Sequence, residues 1–352
     1  MTKNLIELEH HFDDYECMWN GIEDLYINQT KEQLPPSFFF VLAGFGSFCY
    51  MKTDKAEFKR MVAFGDGRTK KMYEFLAPIV GFEYKHYEHK TFEKALARAK
   101  SEIDQGYPCV IGALDMYYLP YFDKLYHEEH IPFHYVMMIG YDDEERCVII
   151  NDCGRKEKQK LSYEELRLAW NCGYPGLSNP NTVCVVRMNS KKNRYQIAKE
   201  AFANRAEAFL HPPVGFVGYR GLEKFIKDLP NWKKELSKED YDKQLAHMVE
   251  FYGTVPGVPN ALRGIDEPDA LPFHGGFDKT AHVLAMLGEE YQDQAMKEAA
   301  AILIQGADVI SEIKDVIVDY LIGNEDRTEE FPRLYTEVVN IMKAGFEPLQ
   351  RG

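Results

Sequence analysis

The sequence predicts an α+β protein of two domains, a mixed α/β part followed by an all-helical one. Three observations carry this. At 352 residues the chain exceeds what one ordinary hydrophobic core supports. Apolar, β-branched runs of strand length concentrate in the first half: PCVIGAL (108–114), HYVMMIGYD (134–142), RCVIINDCG (146–154) and TVCVVRM (182–188). After Asn189-Ser190-Lys191-Lys192-Asn193 helical periodicity dominates and cysteines cease. The boundary is therefore set near residue 190, giving domains 1–190 and 191–352.

The elements follow in order. Helical patterns lie at 18–30, 68–80 and 91–105, the last with Thr91 as N-cap and Gly106 closing it. Asp142-Asp143-Glu144-Glu145 reads as a hairpin loop between two strands. In the second part, helices are expected in RYQIAKEAFANRAEAFL (194–210), GLEKFIKDL (221–229), SKEDYDKQLAHMVEFYG (237–253), about 276–304, and 327–344. PPVGFVGYRG (212–221) and VPGVPNALRG (255–264) read as turn-rich connections.

Composition narrows the function classes. The hydrophobic share of 45% and charged share of 28% are those of a soluble globular protein. No apolar run nears the ~20 residues that cross a bilayer, and the start MTKNLIELEHHFDDYE lacks a signal-peptide core. A cytoplasmic protein without membrane contact is expected. The net charge of −14 opposes general nucleic-acid binding and favours cationic over anionic small substrates. Seven cysteines (17, 49, 109, 147, 153, 172, 184) form no CxxC pair, so neither a disulfide framework nor structural zinc is expected. AGFGS (43–47) lacks the nucleotide-binding glycine pattern. No metal or cofactor is predicted, and a homo-oligomer is compatible with the sequence.

Cys17 lies between an acidic stretch and the helical segment MWNGIEDLYI. A thiol at a helix start gains thiolate character from the macrodipole, and free N–H groups there can receive an oxyanion. Asp13, Asp14 and Glu16 oppose this by raising the thiol pKa, so an imidazolium is needed. His134 begins a strand, and Asp152 follows in the next strand across a short hairpin, where facing side chains stand ~4.5–5.5 Å apart. Nucleophile, base and orienter then run in the order Cys…His…Asp. The same residues also fit a structural thiol, a satisfied strand-edge histidine and a turn-forming aspartate. In ALDMYYLPY (113–121), Asp115 is a candidate partner for a substrate amine, with Tyr117, Tyr118 and Tyr121 lining a pocket. Packing under a loop is the alternative for these tyrosines.

ECMWNGIEDLY around Cys17, SFFFVLAGFGSFCY (37–50), ALDMYYLPY, HYVMMIGYD and VIINDCG (148–154) together resemble the butirosin biosynthesis protein H family. That family has a papain-like fold and is related to the cysteine peptidases that trim bacteriocin leaders. GLEKFIKDLPNW (221–232) resembles the helical domain of unassigned role that commonly follows. PFHGGFDKTAHVLAMLGEEY (272–291) matches that domain's Gly-Gly helix poorly.

The resemblance implies antibiotic or other secondary-metabolite biosynthesis by amide-forming acyl transfer. The acyl donor is a thioester of an acyl carrier protein or of coenzyme A, and the acceptor is a small amine. Cys17 takes the acyl group, His134 acts as base and acid, and Asp152 holds the imidazole. The usual papain-like glutamine before the cysteine is missing, leaving His10, His11 or backbone amides as oxyanion donors. Lys52, Lys55, Lys59, Arg60 and the Arg68-Lys70-Lys71 cluster are candidates for a basic patch that docks an acidic carrier. The competing readings are hydrolysis with the same triad, as a peptidase, amidase or thioesterase, and a non-catalytic binding protein that keeps the fold.

Overall fold

The first compact unit is built on one antiparallel sheet in the order β4-β9-β5-β6-β7-β8. These strands are β4 (Phe82–Glu88), β5 (Cys109–Leu114), β6 (His134–Asp142), β7 (Cys147–Asn151), β8 (Gln159–Ser162) and β9 (Thr182–Met188). The short β1 (Lys3–Leu5) pairs with the far end of β6, from Gly140 to Asp142. The computed structural model describes residues 2–13, 17–53, 58–63, 65, 68–173, 178–250 and 274–351.

Every residue of β5 and of β6 is buried. Continuous apolar runs of this kind are strands covered on both faces. One face packs on α4 (Phe92–Asp104) and α5 (Tyr163–Ala169) through Ile111, Val136, Met138, Ile150, Phe92 and Trp170. Thr91 caps α4 by accepting from the Lys94 N–H at 3.4 Å, and Ser162 with Glu165 forms a capping box on α5. The other face carries α1 (Asn20–Thr30), whose Gly21 lies directly on Met137 of β6. Further along, Tyr73 of α3 (Thr69–Val80) meets Tyr84 of β4 edge to face at 5.8 Å.

The second unit comprises Val41–Asp66, Tyr195–Gly257 and Leu271–Gly352. Its described helices are α6 (Arg194–Leu210), α7 (Gly218–Asp228), α8 (Trp232–Glu235), α9 (Lys238–Glu250), α10 (Phe277–Tyr291), α11 (Gln294–Leu303), α12 (Gln305–Leu321) and α13 (Phe331–Phe346). It is not all helical. The hairpin of β2 (Cys49–Lys52) and β3 (Arg60–Ala63) belongs to it, although both strands fall in the first half of the chain. The reason is chemical: the Tyr50 N–H donates to Phe216 O at 2.8 Å, the Tyr50 hydroxyl donates to Asp228, and the buried Arg60 pairs with Glu235 at 2.6 Å.

Two further differences from the sequence reading have local causes. The stretch 276–304 breaks into α10 and α11, because Gln292 turns left-handed and Asp293 starts a new helix by accepting from the Met296 N–H at 3.1 Å. The helix α12 has no counterpart among the expected helices, since Gly306 and the β-branched run DVIVDYL weaken its helical signal. VPGVPNALRG lies outside the described residues, as do Asp14, Glu16 and Lys55. No helix among the described residues is long and apolar enough to cross a membrane.

Packing at Gly21 gives a direct test. A Cβ there stands 2.6 Å from Met137 Cβ, so Gly21→Ala, although it raises helix propensity, is expected to lower stability by about 1–3 kcal/mol through overpacking. Chemical denaturation of the two proteins checks this; an unchanged or raised midpoint counts against the close approach.

Candidate active site

His134 opens β6 and Asp152 follows the last residue of β7, so the hairpin carries both side chains to one end of the sheet. The His134 Nε2 donates to Asp152 Oδ2 at 2.7 Å, with both side chains buried. This leaves Nδ1 free of Asp152, and the Cys17 thiol interacts with the same imidazole. Burial disfavours the imidazolium, but the Asp152 carboxylate outweighs it, with further help from Cys17. The imidazole is therefore pushed up to about 10. Burial likewise disfavours the Asp152 carboxylate, yet the charge and hydrogen bond of His134 hold its pKa below the usual value. Both shifts favour an imidazolium–carboxylate pair beside the thiol.

Cys17 sits in the turn of residues 17–19 that leads into α1. The thiol is half-buried, as are Cys49 and Cys172, whereas Cys109, Cys147, Cys153 and Cys184 are buried. Burial, with the charge of Asp115, pushes the Cys172 thiol up to about 12, and Cys172 donates to Ala113 O at 3.3 Å. Cys17 is partnered by the imidazole of His134.

The predicted pocket residues divide. The Tyr121 hydroxyl donates to Asp152 Oδ2 at 2.8 Å, so Tyr121 orients the carboxylate. Asp115 is buried and occupied: it accepts from the Tyr117 N–H (3.1 Å), the Ile131 N–H (3.0 Å) and His130 Nδ1 (2.6 Å). Tyr117 stacks on the exposed His130 at 4.0 Å between ring centroids, and Tyr118 meets Tyr117 edge to face at 4.9 Å. Asp115, Tyr117 and Tyr118 thus form their own cluster around His130, while Tyr121 joins His134 and Asp152.

The structure gives His10 and His11, considered above as oxyanion donors, another role, and adds Glu23 and Asp24, which sequence reasoning did not assign. His10 Nδ1 meets Asp24 Oδ2 at 2.6 Å, while its Nε2 meets the carbonyl oxygens of Asp152 (3.1 Å) and Arg155 (3.0 Å). All three partners are acceptors, so both ring nitrogens carry protons and His10 is an imidazolium. Its pKa is accordingly raised; burial alone would lower it, and Asp24 reverses the sign. His11 Nδ1 meets Asp24 Oδ1 at 2.7 Å and its Nε2 meets Glu23 at 3.2 Å. Neither histidine has a ring nitrogen left for an oxyanion. The adjacent His10-His11 pair and the Glu23-Asp24 pair on the first turns of α1 were the only sequence signal for this network.

The basic residues considered for carrier docking are largely neutralised. Lys52 pairs with Glu235, Lys59 with Asp240 at 2.6 Å, and Lys71 with Glu74 at 2.6 Å. A groove of about 470 Å³ between α4 and α5, lined in part by Lys100, Tyr141, Tyr163 and Arg167, contains none of the candidate site residues.

Residues 16–153 match the family "Butirosin biosynthesis protein H, N-terminal", and residues 165–255 match a domain of unknown function, DUF4872. No curated protein matches the chain. The family boundaries and the compact units do not coincide. The hairpin β2–β3 lies inside the first match yet packs with the second unit, and β9 lies inside the second match yet is hydrogen-bonded between β4 and β5.

The ion pairs make stability pH-dependent. His11 and His134 are raised from about 6.5 to about 10, so their contribution is complete below about pH 6.5 and is lost as pH rises to about 10. Asp24, held below the usual carboxylate value, loses its contribution only in acid. The thermal midpoint is expected to fall between pH 7 and pH 10. Asp24→Asn, which strips buried His10 of its counter-ion, is expected to cost about 3–5 kcal/mol and to flatten that fall. An unaltered pH slope in the variant refutes the assignment. The two matches give what this chain supports: residues 16–153 carry the N-terminal domain of the butirosin biosynthesis protein H family, followed by DUF4872.

Proposed function

We propose that this protein is a cysteine-dependent N-acyltransferase with a papain-like N-terminal domain. It would move an acyl group from a thioester to a small amine in antibiotic or related secondary-metabolite biosynthesis. The observation that carries the reading is the buried imidazole of His134, hydrogen-bonded to Asp152 at 2.7 Å on one side and partnered by the Cys17 thiol on the other. A thiolate attacks a thioester readily because one thiol ester replaces another at nearly equal free energy. The family match supplies the biosynthetic context.

In this mechanism the Cys17 thiolate adds to the thioester carbon and the tetrahedral intermediate expels the donor thiol, which takes its proton from the His134 imidazolium. The now neutral imidazole accepts a proton from the incoming amine as it attacks the Cys17 acyl-enzyme. Collapse releases the amide and restores the thiolate–imidazolium pair. Asp152, oriented by Tyr121 and the Gly154 N–H, holds the ring through both half-reactions. The donor is a thioester of an acyl carrier protein or of coenzyme A. The acidic chain favours a cationic amine acceptor, with Tyr117 and Tyr118 as candidate contacts.

Incubation with an acyl thioester is expected to add one acyl mass to Cys17, and added amine to discharge it as amide. Cys17→Ala abolishes the adduct and His134→Ala slows its formation at least about 10²-fold. Intact-mass spectrometry reads both steps. An adduct that discharges to water at the same rate with and without amine makes the protein a thioesterase or amidase instead, and no adduct with any acyl thioester defeats the proposal.

A further inference from the structure

Tyr135 follows His134 in β6 and, by strand alternation, faces the opposite side of the sheet, the side that carries α1. Met137, two residues on, shares that face and is the residue on which Gly21 rests. Cys17 lies four residues before Gly21, so the turn bearing the thiol is brought towards the Tyr135 end of the strand. From α3, the Tyr73 hydroxyl donates to Met18 O, and Thr69 Oγ1 lies 4.0 Å from Met18 Sδ. Tyr135, Thr69, Tyr73 and Cys17 therefore surround one small volume, and Tyr135 interacts electrostatically with Cys17 there.

The side chain of Tyr135 is only 4% exposed, and its hydroxyl makes no hydrogen bond of full geometry among the described residues, with the hydroxyls of Thr69 and Ser178 as its weak polar neighbours. A buried hydroxyl without a partner is costly and rare in a native structure, and is retained where a ligand or reacting group completes it. The ring is set in place by the absence of a side chain opposite. Gly112 pairs with Tyr135 across β5–β6 at φ +154°, and a Cβ there would stand 2.4 Å from Tyr135 Cδ1 and 2.8 Å from His134 O. Burial pushes the phenol up to about 12 against the opposing pull of Thr69 and Ser178, with Cys17 adding to the rise, so it is protonated and able to donate at neutral pH.

Building on the acyl-transfer reading, we propose that the Tyr135 hydroxyl is the side-chain donor to the oxyanion formed on the acyl group at Cys17. When the Cys17 sulfur bonds to the thioester carbon, the carbonyl π pair moves to oxygen. The Tyr135 O–H donates to that oxygen, keeping its own proton. Collapse restores the C=O, breaks the bond to the donor sulfur, and the leaving thiolate takes the His134 proton. Tyr135 so fills the role left open by the missing glutamine and by the fully engaged His10 and His11.

The test is Tyr135→Phe, assayed with a short-chain acyl N-acetylcysteamine thioester as acyl donor and iodoacetamide as alkylating probe. Acylation of Cys17 is expected to slow by about 10²–10³-fold. Iodoacetamide labelling and its pH profile are expected to be unchanged, because alkylation at a saturated carbon forms no oxyanion. The thermal midpoint should hold or rise, since the lost hydroxyl makes no hydrogen bond of full geometry. Acylation within about 3-fold of the unsubstituted rate overturns the assignment, as does a parallel fall in acylation and alkylation. Unsubstituted protein that alkylates at Cys17 but takes no acyl group overturns the acyl-transfer reading and this role with it.

Discussion

The buried carboxylate of Asp152 is the constraint on which the candidate site depends. A carboxylate removed from water must be paired and hydrogen-bonded, and this one accepts from His134, Tyr121 and the Gly154 N–H. Its backbone carbonyl accepts from His10 and from the Arg155 N–H. Three separate stretches of chain, the N-terminal segment, the turn after β5 and the start of β6, are thereby held to the end of β7. Arg155 reinforces this by donating to Tyr121 O at 2.6 Å while its guanidinium lies 4.4 Å from the centroid of Phe122, whose ring meets His134 edge to face.

A second buried charge, Asp24, does the same for the other half of the site. It holds two adjacent imidazoles, His10 and His11, and so anchors the segment before Cys17 to the helix after it. Asn20 adds a hydrogen bond to His11 O at 2.9 Å, and Asp13 accepts from the Ser37 N–H at 3.2 Å. Ionic contacts thus tie His10 and His11, which precede the thiol in the chain, to the helix that follows it. The same contacts use up the ring nitrogens of His10 and His11.

The division of labour between the two units is also chemical. The hairpin β2–β3 is short and two-stranded, a piece that is at best marginally stable alone in water. Tyr50, Trp232 and Asp228 give it a partner: the Trp232 indole N–H donates to Asp228 at 3.2 Å, and the Tyr50 and Trp232 rings stack at 6.3 Å. A hydrophobic pattern cannot announce such a partnership, because the residues involved are separated by about 180 positions of sequence.

What the sequence determined by itself was whatever is written in local periodicity and chemistry. The runs at 108–114, 134–142 and 182–188 match β5, β6 and β9 to within a residue, and the Thr91 cap and the 142–145 hairpin turn lie where their side chains require. The sequence also singled out Cys17, His134 and Asp152, each at the edge of a recognisable element. Tertiary structure alone decided which elements meet. It gave the hairpin at 49–63 to the second unit, turned Asp115 into a turn-capping partner of His130, and moved Tyr121 onto Asp152. It also left the Tyr135 hydroxyl buried without a hydrogen bond of full geometry among the described residues. The physical reason is that hydrogen bonds and ion pairs between distant residues depend on three-dimensional distance, which a repeat of 2 or 3.6 residues does not encode.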